Sequence, residues 1–217
     1  MAQIINHTSQ GKLTELLVAT RNKKKLEEIK EILNNLDLEI TSLADYKGMP
    51  RIIEDGRTFV QNAIKKACTI AQATHKLVLG EDSGLEVRAL KQRPGVFSAR
   101  FAGEDATDEK NNRKLLRELK GLPLSKRQAR YRCAVALADK EGLIDVVVGS
   151  CRGTIGFKPK GHFGFGYDPL FVIDKYGKTF AELGPEIKHT MSHRFQALKK
   201  VRRLMERYLK GYRPASS

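Results

Sequence analysis

Two adjacent carboxylates, Glu81 and Asp82, stand between glycines in residues 80–84, which read G-E-D-S-G. The apolar run L-V-L at residues 77–79 precedes them, and this pattern predicts a buried strand that ends in a tight turn carrying the acids. Open α/β sheets bind ligands at such strand ends. Neighbouring carboxylates there can hold a hard divalent cation such as Mg²⁺, which keeps waters for a phosphate-bearing substrate. The alternative is a solvated turn, because acid-glycine turns are common.

Three polar residues follow the first apolar run of the chain, residues 16–19. Thr20, Asn22 and Lys25 stand between that run and a pattern of apolar residues at helical spacing, so we expect them at the N-terminus of a helix. Free backbone N–H groups and the positive end of the helix dipole bind anions there. Lys25 would then suit a phosphate group, although a lysine at this position can also point to water.

Residues 58–61, T-F-V-Q, predict the start of another helix. Thr58 would cap this helix, and Gln61 would complete a capping box. Asn62 and Lys66 are four residues apart, so they share one flank of the helix.

Residues 161–169, G-H-F-G-F-G-Y-D-P, combine glycines with aromatic residues. Glycines let a ligand approach the backbone, and aromatic rings offer a face on which a planar base can stack. The alternative is a tight connection without a ligand. A dinucleotide-binding loop is excluded because Pro169 stands where its third glycine is needed. A P-loop at Lys178 is excluded because Val172 stands where its first glycine is needed.

Ser192 is a credible N-cap for the last helix of the chain, which puts His193 and Arg194 in its first turn. An arginine at the positive end of a helix needs an anion or a hydrogen-bond acceptor nearby. His189 and His193 are four residues apart, but Thr190 stands where a zinc-protease helix has its glutamate. We therefore expect no metal at these histidines.

The chain has 217 residues, a mass of 24.4 kDa and a formal net charge of +15. This excess of cations predicts anionic partners, a condition that nucleic acid and a nucleoside triphosphate both satisfy. No apolar run approaches the length of a membrane span, and residues 1–12 lack the pattern of a signal peptide. We therefore expect a cytoplasmic protein without a membrane partner, in which Cys68, Cys133 and Cys151 are reduced thiols.

Strand and helix patterns alternate along the rest of the chain. Residues 38–40 and 85–87 alternate as strands, and residues 108–119 predict a strongly charged helix. Two longer strand patterns, residues 130–138 and 144–149, are joined through the turn signal D-K-E-G. This hairpin predicts an antiparallel part in a mixed sheet.

Taken in chain order, these motifs resemble those of the inosine/xanthosine triphosphate pyrophosphatase family. The matching strings are T-x-N-x-x-K at 20–25, E-D-G-x-T-F-x-x-N-A-x-x-K-A at 54–67, G-E-D-S-G-L-E-V at 80–87, P-G-V-F-S-A-R-F-A-G at 94–103, G-F-G-Y-D-P at 164–169 and K-x-x-x-S-H-R at 188–194. The resemblance spans about residues 16 to 200. Members of this family hydrolyse deaminated purine nucleoside triphosphates to the monophosphate and pyrophosphate.

The resemblance implies an α/β fold, with an elongated mixed β-sheet, flanking helices and two lobes around a central active-site cleft. Residues 1–13 would be an N-terminal extension, residues 14–210 a single catalytic domain of two lobes, and residues 211–217 a flexible tail. It also implies Mg²⁺ as the cofactor and ITP, dITP and XTP as substrates. A homodimer is expected, to which the antiparallel part of the sheet contributes, and no stable nucleic-acid partner.

The same resemblance assigns the catalytic and metal-binding roles. Asp82 would accept the proton of the attacking water, and Lys66 would point toward this carboxylate. Glu54 and Asp82 would hold the metal, with Glu81 as a further candidate ligand. Glu81 departs from many relatives, which carry Asp at this position.

The resemblance further implies a set of substrate-binding residues. They are Thr20, Asn22, Lys25, Ser83, Phe165, Gly166, Tyr167, Asp168, Lys188, His193 and Arg194. Phe165 would stack on the base, and Asp168 would contact the base or the sugar. Arg194 can bind the O6 and N7 acceptors of hypoxanthine and xanthine, whereas adenine presents an amino donor at that edge. We therefore expect Arg194→Ala to weaken the use of inosine triphosphate and to leave the fold intact.

Two other functions remain as alternatives. A sister family of similar architecture hydrolyses modified pyrimidine nucleoside triphosphates, but the S-H-R string at residues 192–194 argues against it. A basic nucleic-acid-binding protein without catalysis would explain the net charge of +15. It would not explain the acidic Glu54, Glu81 and Asp82, which repel phosphate unless a metal lies among them.

Overall fold

The computed structural model of the protein describes residues 13–211. The N-terminal extension predicted at 1–13 and the tail predicted at 211–217 therefore lie outside the described residues, apart from one residue each. The strands are β1 (Thr14–Val18), β2 (Leu38–Ser42), β3 (Leu77–Val87), β4 (Gln128–Asp139), β5 (Gly142–Ile155), β6 (Phe171–Ile173) and β7 (Lys178–Thr179). The α-helices are α1 (Lys23–Leu33), α2 (Phe59–Thr74), α3 (Asp108–Glu118), α4 (Phe180–Met191) and α5 (His193–Leu209).

Within the described residues, seven strands form one sheet in the order β2-β1-β3-β4-β5-β6-β7. β1 is parallel to β2 and to β3, whereas each neighbouring pair from β3 to β7 is antiparallel. This arrangement confirms the α/β class and the mixed sheet. It also confirms the hairpin between β4 and β5, which closes between Asp139 and Gly142.

Strand β3 differs from its prediction, because it runs without a turn through both glycines and both acids. A Cβ on Gly80 would lie 2.3 Å from the carbonyl oxygen of Ala63, and a Cβ on Gly84 would lie 2.3 Å from Ser98 Oγ. These glycines therefore allow other segments to pack closely on the strand. The turn predicted at 80–84 and the separate strand predicted after it are wrong for this reason.

Successive residues of β3 face opposite sides of the sheet. Leu77 and Leu79 pack in a core cluster with α1 and α5, whereas Val78 packs with α2. By the same alternation, Glu81 faces α5 and Asp82 faces α2. The two adjacent acids consequently lie on opposite faces of the sheet.

The helices that flank the site are only partly those expected. α3 begins at Asp108 as predicted, and Ser192 caps α5 as predicted, accepting a hydrogen bond from the backbone N–H of Phe195. α4 has no counterpart among the sequence predictions, because Gly184, with φ of 77°, and Pro185 interrupt its helical pattern.

Two general expectations can be compared with the described part of the chain. Between residues 13 and 211, no helix is both long and apolar enough to cross a membrane. The three cysteines, Cys68, Cys133 and Cys151, are free, and the last two are buried.

Candidate active site

Two adjoining cavities lie beside β3. The acidic cavity contains two carboxylates, and its lining includes the predicted site residues Thr20, Asn22, Lys25, Glu54, Lys66, Asp82 and Ser83. The aromatic cavity is lined in part by the aromatic loop, residues 161–169, and its lining includes the predicted residues Asn22, Lys25, Ser83, Phe165, Gly166, Tyr167, Asp168, Lys188, His193 and Arg194. Asn22, Lys25 and Ser83 line both cavities. The structure thus brings every predicted site residue except Glu81 to these two cavities.

In the acidic cavity, α2 holds the buried carboxylate of Asp82. Asn62 Nδ2 donates a hydrogen bond of 2.9 Å to Asp82 Oδ2, and Lys66 Nζ lies 3.6 Å from Asp82 Oδ1. Lys66 Nζ also lies 2.7 Å from Glu54 Oε2 and donates to the carbonyl oxygen of Glu81. Lys66 therefore lies between the two carboxylates, on the flank of α2 that it shares with Asn62.

The environment of Asp82 raises the pKa of its carboxyl group. Burial makes the largest contribution, and the nearby charge of Glu81 adds to it. Lys66, Asn62 and Lys25 oppose the shift without cancelling it. A raised pKa makes Asp82 a better proton acceptor than an ordinary exposed aspartate, provided that it is ionised at the working pH.

The start of α2 confirms one half of the predicted capping box. Thr58 Oγ1 accepts a hydrogen bond from the backbone N–H of Gln61. The side chain of Gln61, however, accepts from the backbone N–H of Arg57 instead of returning to Thr58. The reciprocal bond of a capping box is therefore absent, although both side chains still bond backbone N–H groups at this end of the helix.

Glu54 and Asp82 are the carboxylates that could hold a cation in the acidic cavity. Within the described residues, no group of three or more His, Cys, Asp or Glu residues is placed to hold a metal ion. A site with two carboxylates fits Mg²⁺, which binds proteins through one or two carboxylates and takes its other ligands from water and phosphate. It does not fit a closed zinc site, which needs four protein ligands.

Glu81 lies on the other face of β3, away from this pair of carboxylates. Its Oε2 accepts from Lys25 Nζ at 2.8 Å, and its Oε1 accepts from Arg194 Nη2 at 3.0 Å and from Cys133 Sγ at 3.3 Å. Burial alone would raise the pKa of Glu81, but Lys25 and Arg194 outweigh burial and hold the pKa well below its usual value. The structure therefore does not bring Glu81 together with Glu54 and Asp82, because neighbouring strand residues point in opposite directions.

Buried ion pairs lie beside the aromatic cavity and include three of its lining residues, Lys188, Arg194 and Asp168. Arg194 bonds Glu28 through Nη1, and its Nη2 donates to Ser83 Oγ at 3.1 Å. Lys188 Nζ donates to Glu28 Oε1 and to Asp168 Oδ2, each at 2.7 Å. Burial opposes ionisation of Glu28, but Arg194 and Lys188 lower its pKa from 4.5 to about 2. Glu28 therefore joins Lys188 and Arg194, the two cations of the K-x-x-x-S-H-R string at residues 188–194.

The aromatic loop is anchored from inside by Asp168, which is 2% exposed. Asp168 Oδ2 accepts from the backbone N–H of Phe165 at 3.0 Å, and Tyr131 OH donates to Asp168 Oδ1 at 3.3 Å. The ring of Phe165 lies with its centroid 4.8 Å from Lys188 Nζ. Asp168 therefore holds the loop and Lys188 through its Oδ2 and Tyr131 through its Oδ1.

His193 lies flat against Tyr131, with ring centroids 4.5 Å apart and an angle of 10° between the rings. Burial, Arg194 and Lys188 hold the pKa of His193 well below its usual value, so its imidazole is neutral at pH 7. Its Nδ1 has no hydrogen-bond partner within the described residues. A neutral imidazole can donate through one nitrogen and accept through the other.

Residues 16–204 match the model of the Ham1 family. The chain belongs to the Ham1 family. Proteins named dITP/XTP pyrophosphatase are among its relatives, so the family resemblance of the sequence is confirmed.

Two relatives and one solved structure give the extent of this similarity. The dITP/XTP pyrophosphatase of Desulforamulus reducens is 49% identical over 193 residues, which cover 89% of this chain and 96% of that protein. The protein of the same name from Geobacter sulfurreducens is 48% identical over 186 residues, which cover 86% and 94%. The structure of a HAM1 protein from Coxiella burnetii superposes with a TM-score of 0.81 at 38% identity, covering 89% of this chain and 98% of that one.

Sequence reasoning on this Ham1 chain missed Glu28 and Tyr131. Glu28 is buried beside Ile29 on α1 and a buried glutamate needs a cationic partner, but its burial is visible only in the structure. Nothing in the sequence identifies Tyr131 as a site residue, since the alternation of residues along β4 predicts only which side of the sheet it faces. The expectation that Arg194→Ala leaves the fold intact does not agree with the structure, because Arg194 is only 1% exposed and pairs with two buried carboxylates.

Proposed function

We propose that this Ham1 protein hydrolyses ITP, dITP and XTP to the nucleoside monophosphate and pyrophosphate, and so removes deaminated purines from the nucleotide pool. The observation that carries the proposal is the contact between the two cavities. A cavity with two carboxylates and a lysine shares Asn22, Lys25 and Ser83 with a cavity of aromatic and cationic groups. A triphosphate can lie in the first cavity while its base lies in the second.

At the phosphate end, Glu54 and Asp82 would hold Mg²⁺. When bound, Mg²⁺ neutralises charge on the phosphate oxygens as the bridging bond breaks. Asp82 accepts a proton from a water molecule, whose oxygen bonds to the α-phosphorus while the bond from that phosphorus to the α–β bridging oxygen breaks and pyrophosphate leaves with that oxygen. Lys66 orients Asp82 from 3.6 Å.

Three polar residues that line the acidic cavity would position the phosphates, and two of them, Asn22 and Ser83, also line the aromatic cavity. Thr20, Asn22 and Ser83 can donate hydrogen bonds to phosphate oxygens. Asn22 also caps α1 by accepting from the backbone N–H of Lys25, so the phosphates would lie near the positive end of that helix. Lys25 forms an ion pair with Glu81. It also adds positive charge where the two cavities meet.

At the base end, Phe165 offers a ring face on which the base can stack. Arg194 supplies hydrogen-bond donors and so favours a base edge that carries acceptors. Hypoxanthine and xanthine present acceptors at O6 and N7, whereas adenine presents an amino donor beside N7. Nε of Arg194 and Nδ1 of His193 are buried without a partner in the described part of the chain. An incoming base can satisfy both atoms, and a 6-oxo purine supplies the acceptors that a guanidinium needs.

The remaining expectations belong to the same proposal. We propose Mg²⁺ as the cofactor, a homodimer as the assembly and the cytoplasm as the location. We also propose that nucleic acid is no stable partner, because Glu54 and Asp82 line the cleft and would repel a phosphate backbone that brings no metal.

The test is pyrophosphate release from inosine, xanthosine, guanosine and adenosine triphosphates with Mg²⁺. We expect the first two to be hydrolysed much faster than the last two, and Asp82→Asn to lower kcat at least about 100-fold, as expected for loss of a general base. Asp55→Asn is the matched control, because Asp55 pairs with Lys65 on the surface. A folded protein that releases pyrophosphate from none of the four would refute the proposal, and modified pyrimidine triphosphates would then be tried.

A further inference from the structure

Helix α3 carries three polar residues for which the proposed reaction has no use. They are Asp108, Asn111 and Asn112. Both asparagines are buried, although most of α3 is charged. Asp108 and Asn111 also line the aromatic cavity. Buried amides need hydrogen-bond partners, and those partners identify what α3 holds.

The first partner is Gly166, which follows the stacking ring of Phe165 in the aromatic loop. The backbone N–H of Gly166 donates to Asp108 Oδ2 at 2.7 Å, and Asn112 Nδ2 donates to the Gly166 carbonyl oxygen at 2.9 Å. Both backbone polar groups of this glycine are therefore bound by one helix. This loop has no regular secondary structure of its own, so its position depends on such bonds.

The second partner is the short 3₁₀ segment Gly95–Arg100 with the residues after it. Ser98 and Ala99 of this segment line the aromatic cavity and form its second wall. Asn111 Nδ2 donates to the carbonyl oxygen of Ala99 at 3.1 Å, and Asn111 Oδ1 accepts from the backbone N–H of Ala102 at 2.8 Å. Lys114, one turn further along α3, donates to the carbonyl oxygen of Phe101 at 2.6 Å. Ala99 lines both cavities, so this wall also belongs to the site.

One rigid element therefore contacts both walls of the aromatic cavity. We propose that α3 sets the distance between these walls, and that Asp108, Asn111 and Asn112 are positioning residues for the base of the substrate. The identity of the base rests on the proposed function. A planar base binds by stacking only when the facing surfaces are held at a fixed spacing. Movement of Gly166 would carry Phe165 away from that spacing and leave the acidic cavity unchanged.

Two substitutions, Asn112→Leu and Asp108→Ala, test the inference, and two further variants serve as controls. Asn112→Leu keeps the shape and removes the donor to Gly166, and it costs no other bond because Asn112 Oδ1 has no partner among the described residues. Asp108→Ala removes the acceptor, whereas Asp108→Asn retains an oxygen that can still accept from Gly166 N–H. Arg117→Ala is the matched control, since Arg117 is exposed on the same helix.

The measurements separate the base from the phosphates. Calorimetry gives the Kd of inosine monophosphate and of Mg²⁺ pyrophosphate, and steady-state kinetics give kcat and KM for inosine triphosphate. In Asn112→Leu and Asp108→Ala we expect the Kd of the monophosphate and the KM to rise about tenfold, the size of one lost hydrogen bond. The Kd of pyrophosphate should stay within about twofold, and Asp108→Asn and Arg117→Ala should behave like the wild type.

Each outcome decides between the alternatives. Equal weakening of monophosphate and pyrophosphate, or unchanged monophosphate binding, would overturn the role of α3 in spacing the walls. If the wild type binds inosine monophosphate but hydrolyses no triphosphate, the proposed function fails while the monophosphate affinities still decide the role of α3. If the wild type hydrolyses inosine triphosphate but shows no measurable monophosphate binding, the proposed function stands and KM decides the role of α3, which an unchanged KM in Asn112→Leu would overturn.

Discussion

Arg194 is the largest side chain that the fold buries almost completely. It belongs to a buried cluster of three cations and three carboxylates, which are Lys25, Lys188, Arg194, Glu28, Glu81 and Asp168. The formal charges of this cluster cancel, and each member has at least one partner of opposite charge. Such a cluster tolerates burial only while it stays complete, because removing one partner leaves an uncompensated charge in a medium that solvates it poorly.

We therefore predict that Arg194→Ala destabilises the protein as well as impairing base recognition. The carboxylates of Glu28 and Glu81 would each lose a cation, and the free energy of unfolding should fall by about 3–5 kcal/mol. Urea denaturation measures this change. Arg202→Ala is the control on the same helix, because Arg202 pairs with Glu206 on the surface, and it should cost less than about 0.5 kcal/mol. Equal stability of the two variants would contradict the role given to the cluster.

Glu28 gives the cluster a pH dependence whose sign can be worked out. Its pKa in the folded protein is about 2, below the ordinary 4.5. The ionised carboxylate therefore stabilises the folded state above pH 4.5, and this contribution is lost as the pH falls through that range toward 2. A window of about 1.5 pH units below 4.5 corresponds to about 2 kcal/mol.

We predict that this pH dependence is absent in Glu28→Gln. The difference in unfolding free energy between wild type and variant should shrink by about 2 kcal/mol from pH 6 to pH 3. Glu27→Gln is the control, because Glu27 is exposed on the same helix and should leave the slope of the wild type unchanged. A Glu28→Gln slope equal to that of the control would show that Glu28 titrates normally.

At the scale of elements, caps could be predicted from the sequence and packing could not. The side chains of Thr58 and Ser192 accept hydrogen bonds from backbone N–H groups three residues further along the chain. A few consecutive residues therefore suffice to predict where α2 and α5 begin. The choice between strand and turn at Gly80 depends on α2, whose backbone packs against it. Likewise, the partners of Glu28 are 160 or more residues away in the chain, and no local pattern identifies them.

The functional strings therefore predicted residues that the fold brings together, with part of the geometry missing. All but one of the predicted site residues line the two cavities, because each motif carries its own side-chain chemistry. Glu81 is the exception, since treating 80–84 as a turn put both acids on one side. In a continuous strand they must separate, and the second acid is then taken up by Lys25 and Arg194.

The contact between α2 and β3 leads to a prediction for Gly80→Ala. The added methyl group would lie 2.3 Å from the Ala63 carbonyl oxygen and 2.6 Å from the Ala67 backbone nitrogen, so α2 must move. We expect a loss of roughly 1–3 kcal/mol of stability. Because Asn62 and Lys66 reach Asp82 from α2, a shift of about 1 Å should also lower kcat about 100-fold.

Gly156→Ala is the matched control for that measurement, because a Cβ there meets nothing closer than 3.5 Å. It should change stability by less than about 1 kcal/mol and leave kcat unchanged. If Gly80→Ala destabilised the protein without lowering kcat, the position of α2 would not govern the chemistry.

At the scale of the whole molecule, the net charge of +15 acts in two directions. It attracts anionic substrates over distances longer than any contact, and three arginines at the acidic cavity, Arg21, Arg51 and Arg100, concentrate that attraction at the site. The same charge repels itself and so weakens the folded state. Salt screens both effects, since the Debye length falls from about 10 Å at 0.1 M to about 3 Å at 1 M.

We therefore predict opposite responses of activity and stability to potassium chloride. Between 0.05 and 0.5 M salt at constant free Mg²⁺, kcat/KM for inosine triphosphate should fall about tenfold, because screening removes the long-range attraction of the substrate. The kcat at saturating substrate should change little, because attraction before binding no longer matters there. Over the same range the free energy of unfolding should rise, because screening relieves the repulsion among the surface cations. A parallel fall of activity and stability would mean that salt disrupts the buried ion pairs, and the net charge would then explain neither effect.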